Sequence, residues 1–113
     1  MTTSYELSLR LKELGVEQTG GEYYYYDVKG EALILHQSSF MAVSFSRICR
    51  AFTLGELVRE LGDRIILHKL HDVYVASYAN TPDEYDFEIH NTSPEEAAGE
   101  LLAETLKQKL INR

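Results

Sequence analysis

The sequence predicts an α+β domain in which three helices pack on an antiparallel sheet of five to six strands. Three helix-start signals, two pairs of apolar runs divided by short turns, and one alternating segment lead to this fold class. The order along the chain is helix, two or three strands, helix, three strands, helix. A length of 113 residues suits a single domain over residues 1–113.

Each predicted helix begins at a hydroxyl residue that is followed three positions later by glutamate, which is the capping-box pattern. The three pairs are Thr3 with Glu6, Thr53 with Glu56, and Ser93 with Glu96. Leucine and alanine at helical spacing then predict helices over residues 4–14, 54–61 and 94–111. Glycine follows the first two helices and is expected to end them.

The strands are predicted from short runs of apolar and aromatic residues between turn signals. These runs cover residues 22–28, 31–37, 40–45, 64–70, 73–79 and 84–90. Lys29-Gly30 and His71-Asp72 are the expected turns of two hairpins. Residues 84–90 alternate apolar with polar side chains, which predicts a strand with one face in water.

Four consecutive tyrosines, residues 23–26, do not alternate as a strand with one wet face should. An even-length turn places Tyr23 and Tyr25 on the same face as Ile34. Both faces of the first hairpin are then apolar. The outer face is expected either to be a partly wet aromatic surface or to be covered by another protein or a second copy. The candidate residues of this aromatic face are Tyr23, Tyr25, Ile34 and His36.

The net charge of −7 argues against electrostatic binding of DNA or RNA. Between Lys69 and Lys107 the chain holds nine acidic residues and no lysine or arginine. This stretch has two interpretations, a solvated acidic surface or a docking face for a basic partner. The candidate residues of this acidic face are Asp83, Glu84, Asp86, Glu88, Glu95 and Glu96.

The four histidines do not form a recognisable metal motif. His68 and His71 are three positions apart in and after a predicted strand, a spacing that sends strand side chains to opposite faces. A zinc site needs three or four converging ligands. His36 and His90 lie on other predicted strands, so the sequence leaves open whether the four converge. We predict no metal site and no other cofactor.

Cys49 is the only cysteine, which excludes a disulfide within the chain. It lies between Arg47 and Arg50, whose charges favour a thiolate. A reactive cysteine also needs a base and a pocket, and neither is identified, so a buried structural cysteine is the preferred interpretation. Phosphate-binding glycine loops and nucleophile elbows are absent from the sequence. We therefore predict no catalytic residues.

No apolar run in the sequence approaches the roughly 20 residues that a membrane-spanning helix needs. The first 15 residues also lack the basic start and apolar block of a secretory signal. Together with the single cysteine, these features predict a cytoplasmic protein without a membrane partner.

Three segments, "LKELGV", "RICRAFTLGEL" and "SPEEAAGELLAETLKQKLI", resemble a family of small uncharacterised proteins encoded in phages, prophages and bacterial genomes. Members of that family pair these segments with a tyrosine- or tryptophan-rich strand. The sequence departs from the pattern at Arg50, where a proline is expected. The resemblance implies a compact α+β domain of mobile-element origin, without established catalytic residues.

These observations predict a non-enzymatic protein-interaction module that acts through the aromatic face, the acidic face or both. Its partner is another protein or a second copy of the chain. The alternative is a small-ligand-binding protein or an enzyme with a pocket between sheet and helices.

Overall fold

A computed structural model describes residues 1–28, 32–37, 45–81 and 84–108. The helices are α1 (Tyr5–Glu13), α2 (Leu54–Leu61) and α3 (Pro94–Lys107). The strands are β1 (Tyr23–Val28), β2 (Ala32–Gln37), β3 (Phe45–Ala51), β4 (Ile65–Leu70), β5 (Val73–Thr81) and β6 (Glu84–Asn91). A short 3₁₀ helix, Gly62–Arg64, leads from α2 into β4. Residues 40–44 of the predicted third strand and the Lys29-Gly30 turn lie outside the described residues.

The six strands form two antiparallel sheets, with strand orders β2-β1-β3 and β4-β5-β6. The α+β class and the predicted order of helices and strands are confirmed. A single sheet of five to six strands is wrong, because no pairing between described residues joins the two sheets. Each sheet contains only strands that are near in sequence, and α2 separates the two groups along the chain. Hairpin signals predict such local pairs but carry no information about how the pairs assemble.

The main core lies between the three helices and one face of the β4-β5-β6 sheet. Leucines of the helices supply most of its volume, and β5 contributes Ala76 and Tyr78. The first and last helices approach closely at Gly99, where an added Cβ would lie 2.7 Å from Leu7 Cδ2. The core therefore joins α1 and α3 directly, although most of the chain lies between them.

The helix starts at α2 and α3 follow the predicted capping pattern. At α2 the box is complete, because Thr53 Oγ1 accepts the Glu56 N–H at 3.3 Å and Glu56 Oε1 accepts the Thr53 N–H at 2.9 Å. At α3 one of the two hydrogen bonds of the capping box forms, in which Ser93 Oγ accepts the Glu96 N–H at 3.2 Å. The Glu96 carboxylate instead contacts Ser4, at the start of α1.

The predicted cap of α1 is wrong by one residue. Ser4, and not Thr3, is the N-cap, and its Oγ accepts the Leu7 N–H at 3.3 Å. Thr3 is buried, and its Oγ1 accepts the N–H of Phe52, the residue that follows β3, at 3.0 Å. A hydroxyl that satisfies a distant main-chain group in this way is not available to its own helix.

The first hairpin pairs one residue away from the predicted register. Val28 lies opposite Ala32, so three residues, and not an even number, separate β1 from β2. Ile34 is consequently paired with Tyr26, and not placed on the face of Tyr25. Because side chains alternate along a strand, a slip of one residue moves the whole of β2 to the opposite set of partners.

Candidate functional site

The tyrosine run contributes to both faces of the first sheet. Tyr24 and Tyr26 are only 2% and 6% exposed, whereas Tyr23 and Tyr25 are half-buried. The Tyr25 ring meets the Tyr5 ring of α1 edge to face, with centroids 5.5 Å apart. Its hydroxyl donates to the Thr3 carbonyl at 2.9 Å, and burial raises its pKa. Helix α1 of the same chain therefore covers part of the face that was predicted to bind a partner.

The opposite face of β1 is covered by polar and charged groups. The Arg47 guanidinium lies 3.8 Å from the centroid of the Tyr24 ring, a cation–π contact. The Tyr24 hydroxyl accepts the Gly21 N–H at 3.1 Å. These contacts explain how a non-alternating strand is accommodated, since each face has its own cover.

The four residues of the predicted aromatic face do not lie at register positions of one face. Tyr23 and Tyr25 pair with Gln37 and Leu35 of β2. Ile34 and His36 are placed opposite Tyr26 and Tyr24, on the other side of the sheet. Binding of a partner by any of these residues stays a prediction.

A buried ion pair connects β3 to α2. Arg50 Nη2 lies 2.9 Å from Glu56 Oε2, and the two side chains are 7% and 8% exposed. Arg50 Nη1 also donates to the carbonyl oxygens of Glu17 and Thr19, at 3.0 and 3.3 Å. Its guanidinium lies 4.5 Å from the Phe52 ring centroid. Arg50 thus fixes the segment before β1 against the start of α2, which is a structural role.

The Arg50 side chain also explains the glycine at position 21. A Cβ at Gly21 would lie 2.8 Å from Arg50 Cγ and closer still to atoms further along that side chain. Gly21 is buried, so the main chain itself packs on the arginine. The sequence indicated neither this contact nor the burial of Arg50.

Cys49 is buried on β3, and burial raises the pKa of its thiol. The neighbouring Arg50 is committed to Glu56, and Arg47 lies over Tyr24. The thiol is therefore held in its protonated, unreactive form at neutral pH, as expected of a structural cysteine.

The residues of the predicted acidic face divide into two groups. Glu95 and Glu96 are half-buried at the start of α3, where they accept from Ser93 Oγ and from the Ser4 N–H, respectively. Glu88, on β6, is exposed and lies 3.5 Å from His90 Nε2. Glu84 and Asp86 belong to β6 by their main chain, and Asp83 lies outside the described residues. Of the predicted acidic face, Glu88 is the residue whose described side chain is exposed.

The second hairpin has the register that the sequence predicts, and its outer face carries exposed apolar residues. His68 lies opposite Val75, and Leu70 lies opposite Val73, so Ile66, His68 and Leu70 share one face. Ile66 and Leu70 are 43% and 50% exposed, on the side of the sheet away from the helices. We call this surface, which Ser77, Glu88 and His90 complete, the outer face of the second sheet.

The described histidines do not converge. His68 and His90 lie in one row across the second sheet but on opposite sides of Val75. His71 occupies the turn between β4 and β5 with a φ of 56°, and His36 belongs to the other sheet. Within residues 1–28, 32–37, 45–81 and 84–108, no three His, Cys, Asp or Glu side chains are grouped to hold a metal ion.

A cavity of about 310 Å³ lies between α1 and α3, above Ile89 of β6. Its apolar floor is bordered by two basic side chains, Arg10 and Lys107, and by two acidic ones, Glu100 and Glu104. The mixture of charges suits binding of a polar ligand better than nucleophilic chemistry, because the lining contains no serine, cysteine or histidine.

No helix in the described part of the chain is long and apolar enough to cross a membrane. Comparison of the chain with protein-family models, with curated proteins and with solved structures gives no significant match.

Proposed function

We propose that this chain is a cytoplasmic, non-enzymatic protein-interaction module that binds a basic protein through the outer face of its second sheet. The observation that carries the proposal is the exposure of Ile66 and Leu70 of β4 on the face of the second sheet away from the helices, where Val75 and Ser77 of β5 are buried. Exposed apolar residues next to a polar margin are typical of interaction surfaces. The resemblance to phage and prophage proteins supports a mobile-element origin for the module.

Charge favours a basic partner over a neutral or acidic one. Glu88 projects from the same face as Ile66, because both are paired with Ser77. Strand β6 also includes Glu84 and Asp86, and no lysine or arginine occurs between Lys69 and Lys107. A partner with basic side chains around an apolar centre would complement this arrangement.

Affinity capture at increasing salt tests the proposal. The wild-type chain, Glu88→Lys and the control Glu13→Lys, which changes an exposed glutamate on α1, are used as bait. We expect the same captured protein with the wild type and the control, released as salt rises, and its loss with Glu88→Lys. Equal capture by Glu88→Lys and Glu13→Lys would rule out this face as the binding surface.

A second candidate function, binding of a small polar ligand, is favoured by the cavity between α1 and α3. Its volume of about 310 Å³ lies at the small end of the range of ligand pockets. A thermal-shift screen of metabolites against the wild type and Arg10→Met tests it. A ligand that stabilises the wild type but not the variant would establish the site, and the absence of any stabilising compound would remove it.

A further inference from the structure

Strand β4 is an outer strand of the second sheet, and its pairing is regular. Six consecutive residue pairs join it to β5 without a register shift. Of the other outer strands, β3 and β6 pair with shifted registers, whereas β2 pairs as regularly as β4. The second edge of β4 has no partner among the described residues. A regular open edge presents unpaired N–H and C=O groups that another strand can bind.

The residues of β4 do little to block such pairing. Natural sheets protect open edges with proline, bulges or charged side chains, lysine in particular. The strand Ile65–Leu70 contains no proline, and Lys69 is its one permanently charged residue. Its exposed outer-face residues, Ile66 and Leu70, are apolar. An edge of this composition is expected to be occupied in the functional assembly.

We propose that β4 pairs antiparallel with β4 of a second copy, across a two-fold axis at His68. The two three-stranded sheets then become one sheet of six strands. This pairing goes beyond the proposed binding of a basic protein and does not depend on it. In such an arrangement Ile66 lies opposite the partner's Leu70, and the same contact is made twice because the interface is symmetric.

The register is fixed by the faces of the strand and by its side chains. A two-fold axis normal to the sheet allows only residues of the same face to be opposite, so the axis passes through a residue. Leu67 and His68, in the middle of β4, are the two centres that pair most of the strand. Centring on Leu67 would place exposed Ile66 opposite the partner's His68. Centring on His68 pairs the two exposed apolar residues with each other, an arrangement that stabilises a sheet.

A second copy supplies the apolar match on both sides of the axis, because the two-fold axis makes the contact between Ile66 and Leu70 twice. An unrelated strand would offer two exposed apolar residues at the same spacing only by chance.

The two outer edges of the six-stranded sheet oppose further growth of that sheet. After β4 edges have paired, the free edges of the six-stranded sheet are the two β6 strands. These carry Glu84, Asp86 and Glu88 and pair with β5 through shifted registers. Like charges and bulges oppose further strand addition. The interface is small, so we expect a dimer that dissociates on dilution.

Sedimentation equilibrium over a range of concentrations tests the dimer. We expect the wild type to dimerise, Leu70→Glu to be monomeric, and the control Val58→Glu, which changes an exposed apolar residue of α2, to dimerise like the wild type. A wild-type chain that stays monomeric at high micromolar concentration overturns the proposal. So does a dimer that Leu70→Glu leaves intact or that Val58→Glu also abolishes.

Disulfide trapping tests the register. Opposite residues of antiparallel strands have Cα atoms about 4.5–5.5 Å apart, within the range of a disulfide. His68→Cys, which faces its own symmetry mate, should give a covalent dimer with oxidised glutathione. Ile66→Cys should not, because the two copies of residue 66 are about 13 Å apart in this register. Equal trapping at both positions, or none at residue 68, overturns the pairing at His68.

Different results would contradict the proposed function and the proposed β4 pairing. A monomer that still captures a basic protein through Glu88 would contradict only the β4 pairing. A dimer whose Glu88→Lys variant captures the same proteins as the wild type would contradict only the proposed function.

Discussion

The carboxylate of Glu56 binds three different segments of the chain at once. Its Oε1 accepts the Thr53 N–H, and its Oε2 accepts both the Glu22 N–H at 3.3 Å and Arg50 Nη2 at 2.9 Å. The start of α2, the end of β3 and the segment before β1 are therefore held by one buried side chain. This cluster links the first sheet to the helical core.

Removal of the arginine from this cluster is expected to be strongly destabilising. Arg50→Met leaves Glu56 buried without its charge partner, so we expect a loss of about 3–5 kcal/mol in the free energy of unfolding. The control Arg59→Met changes an exposed arginine of α2 and should alter stability by less than about 0.5 kcal/mol. Urea denaturation of both variants measures the difference, and equal small losses would contradict a structural role for the pair.

The stability of the chain should fall in acid partly through Glu56. Burial raises the pKa of this carboxyl, but hydrogen bonds from Thr53 and Arg50 and the charge of the arginine lower it by more. The pKa of Glu56 therefore lies below its ordinary value of 4.5. The folded state therefore favours the ionised carboxylate. Its contribution is fully present above a pH of about 4.5 and is lost as the pH falls through the lowered pKa.

Denaturation curves between neutral pH and pH 3 check this pH dependence. We expect the stability difference between the wild type and Glu56→Gln to shrink as the pH falls below about 4.5. A difference that is constant over this range would show that ionisation of Glu56 does not stabilise the fold.

Two glycine substitutions should have opposite effects. Gly21→Ala brings a methyl group into the Arg50 side chain, and we expect a loss of about 1–3 kcal/mol from overpacking. Gly55→Ala is the matched control, because nothing lies within 4 Å of its added Cβ and the residue is helical. Alanine there should increase stability by about 0.5–1 kcal/mol. Thermal unfolding distinguishes the two, and a neutral Gly21→Ala would contradict the close packing on Arg50.

The contact between Glu96 and Ser4 should contribute to stability although the two residues are far apart in sequence. Glu96 Oε1 accepts the Ser4 N–H at 2.5 Å, at the N-terminus of α1. Glu96→Ala removes this acceptor, and we expect a loss of about 0.5–2 kcal/mol, as for other helix caps. Glu104→Ala is the control, since Glu104 binds only the exposed Gln108 side chain among the contacts described. Equal effects of the two substitutions in urea denaturation would contradict this role.

Local sequence signals predicted the three helices and five of the six strands closely, but they placed the third strand at residues 40–45, whereas β3 spans Phe45–Ala51. The bounds of α2 follow from Thr53 and Gly62, because a capping box and a glycine with a φ of 79° mark its two ends. The second hairpin has its predicted register because the two-residue turn His71-Asp72 allows one pairing of the apolar positions. Both results depend on residues that are adjacent in sequence.

Long-range features were not predictable in the same way. The slip of the first hairpin arises from one additional loop residue, which turn propensities did not indicate. Arg50 is charged and gave no sign of burial, since its partners Glu17, Thr19 and Glu56 come from other elements. Of the candidate site, the shared face of Ile66 and Leu70 was predictable, but the cover of Tyr25 by α1 was not.

The packing of α1 against α3 has a consequence for folding during synthesis. On the ribosome, Ser4 and Leu7 are made long before Glu96 and Gly99, so the first helix emerges without the residues that cap and cover it. The leucines of α1 therefore stay exposed in the nascent chain until α3 has been translated. Completion of this fold is thus delayed until α3 has been synthesised, and a chaperone could bind the exposed leucines of α1 during this interval.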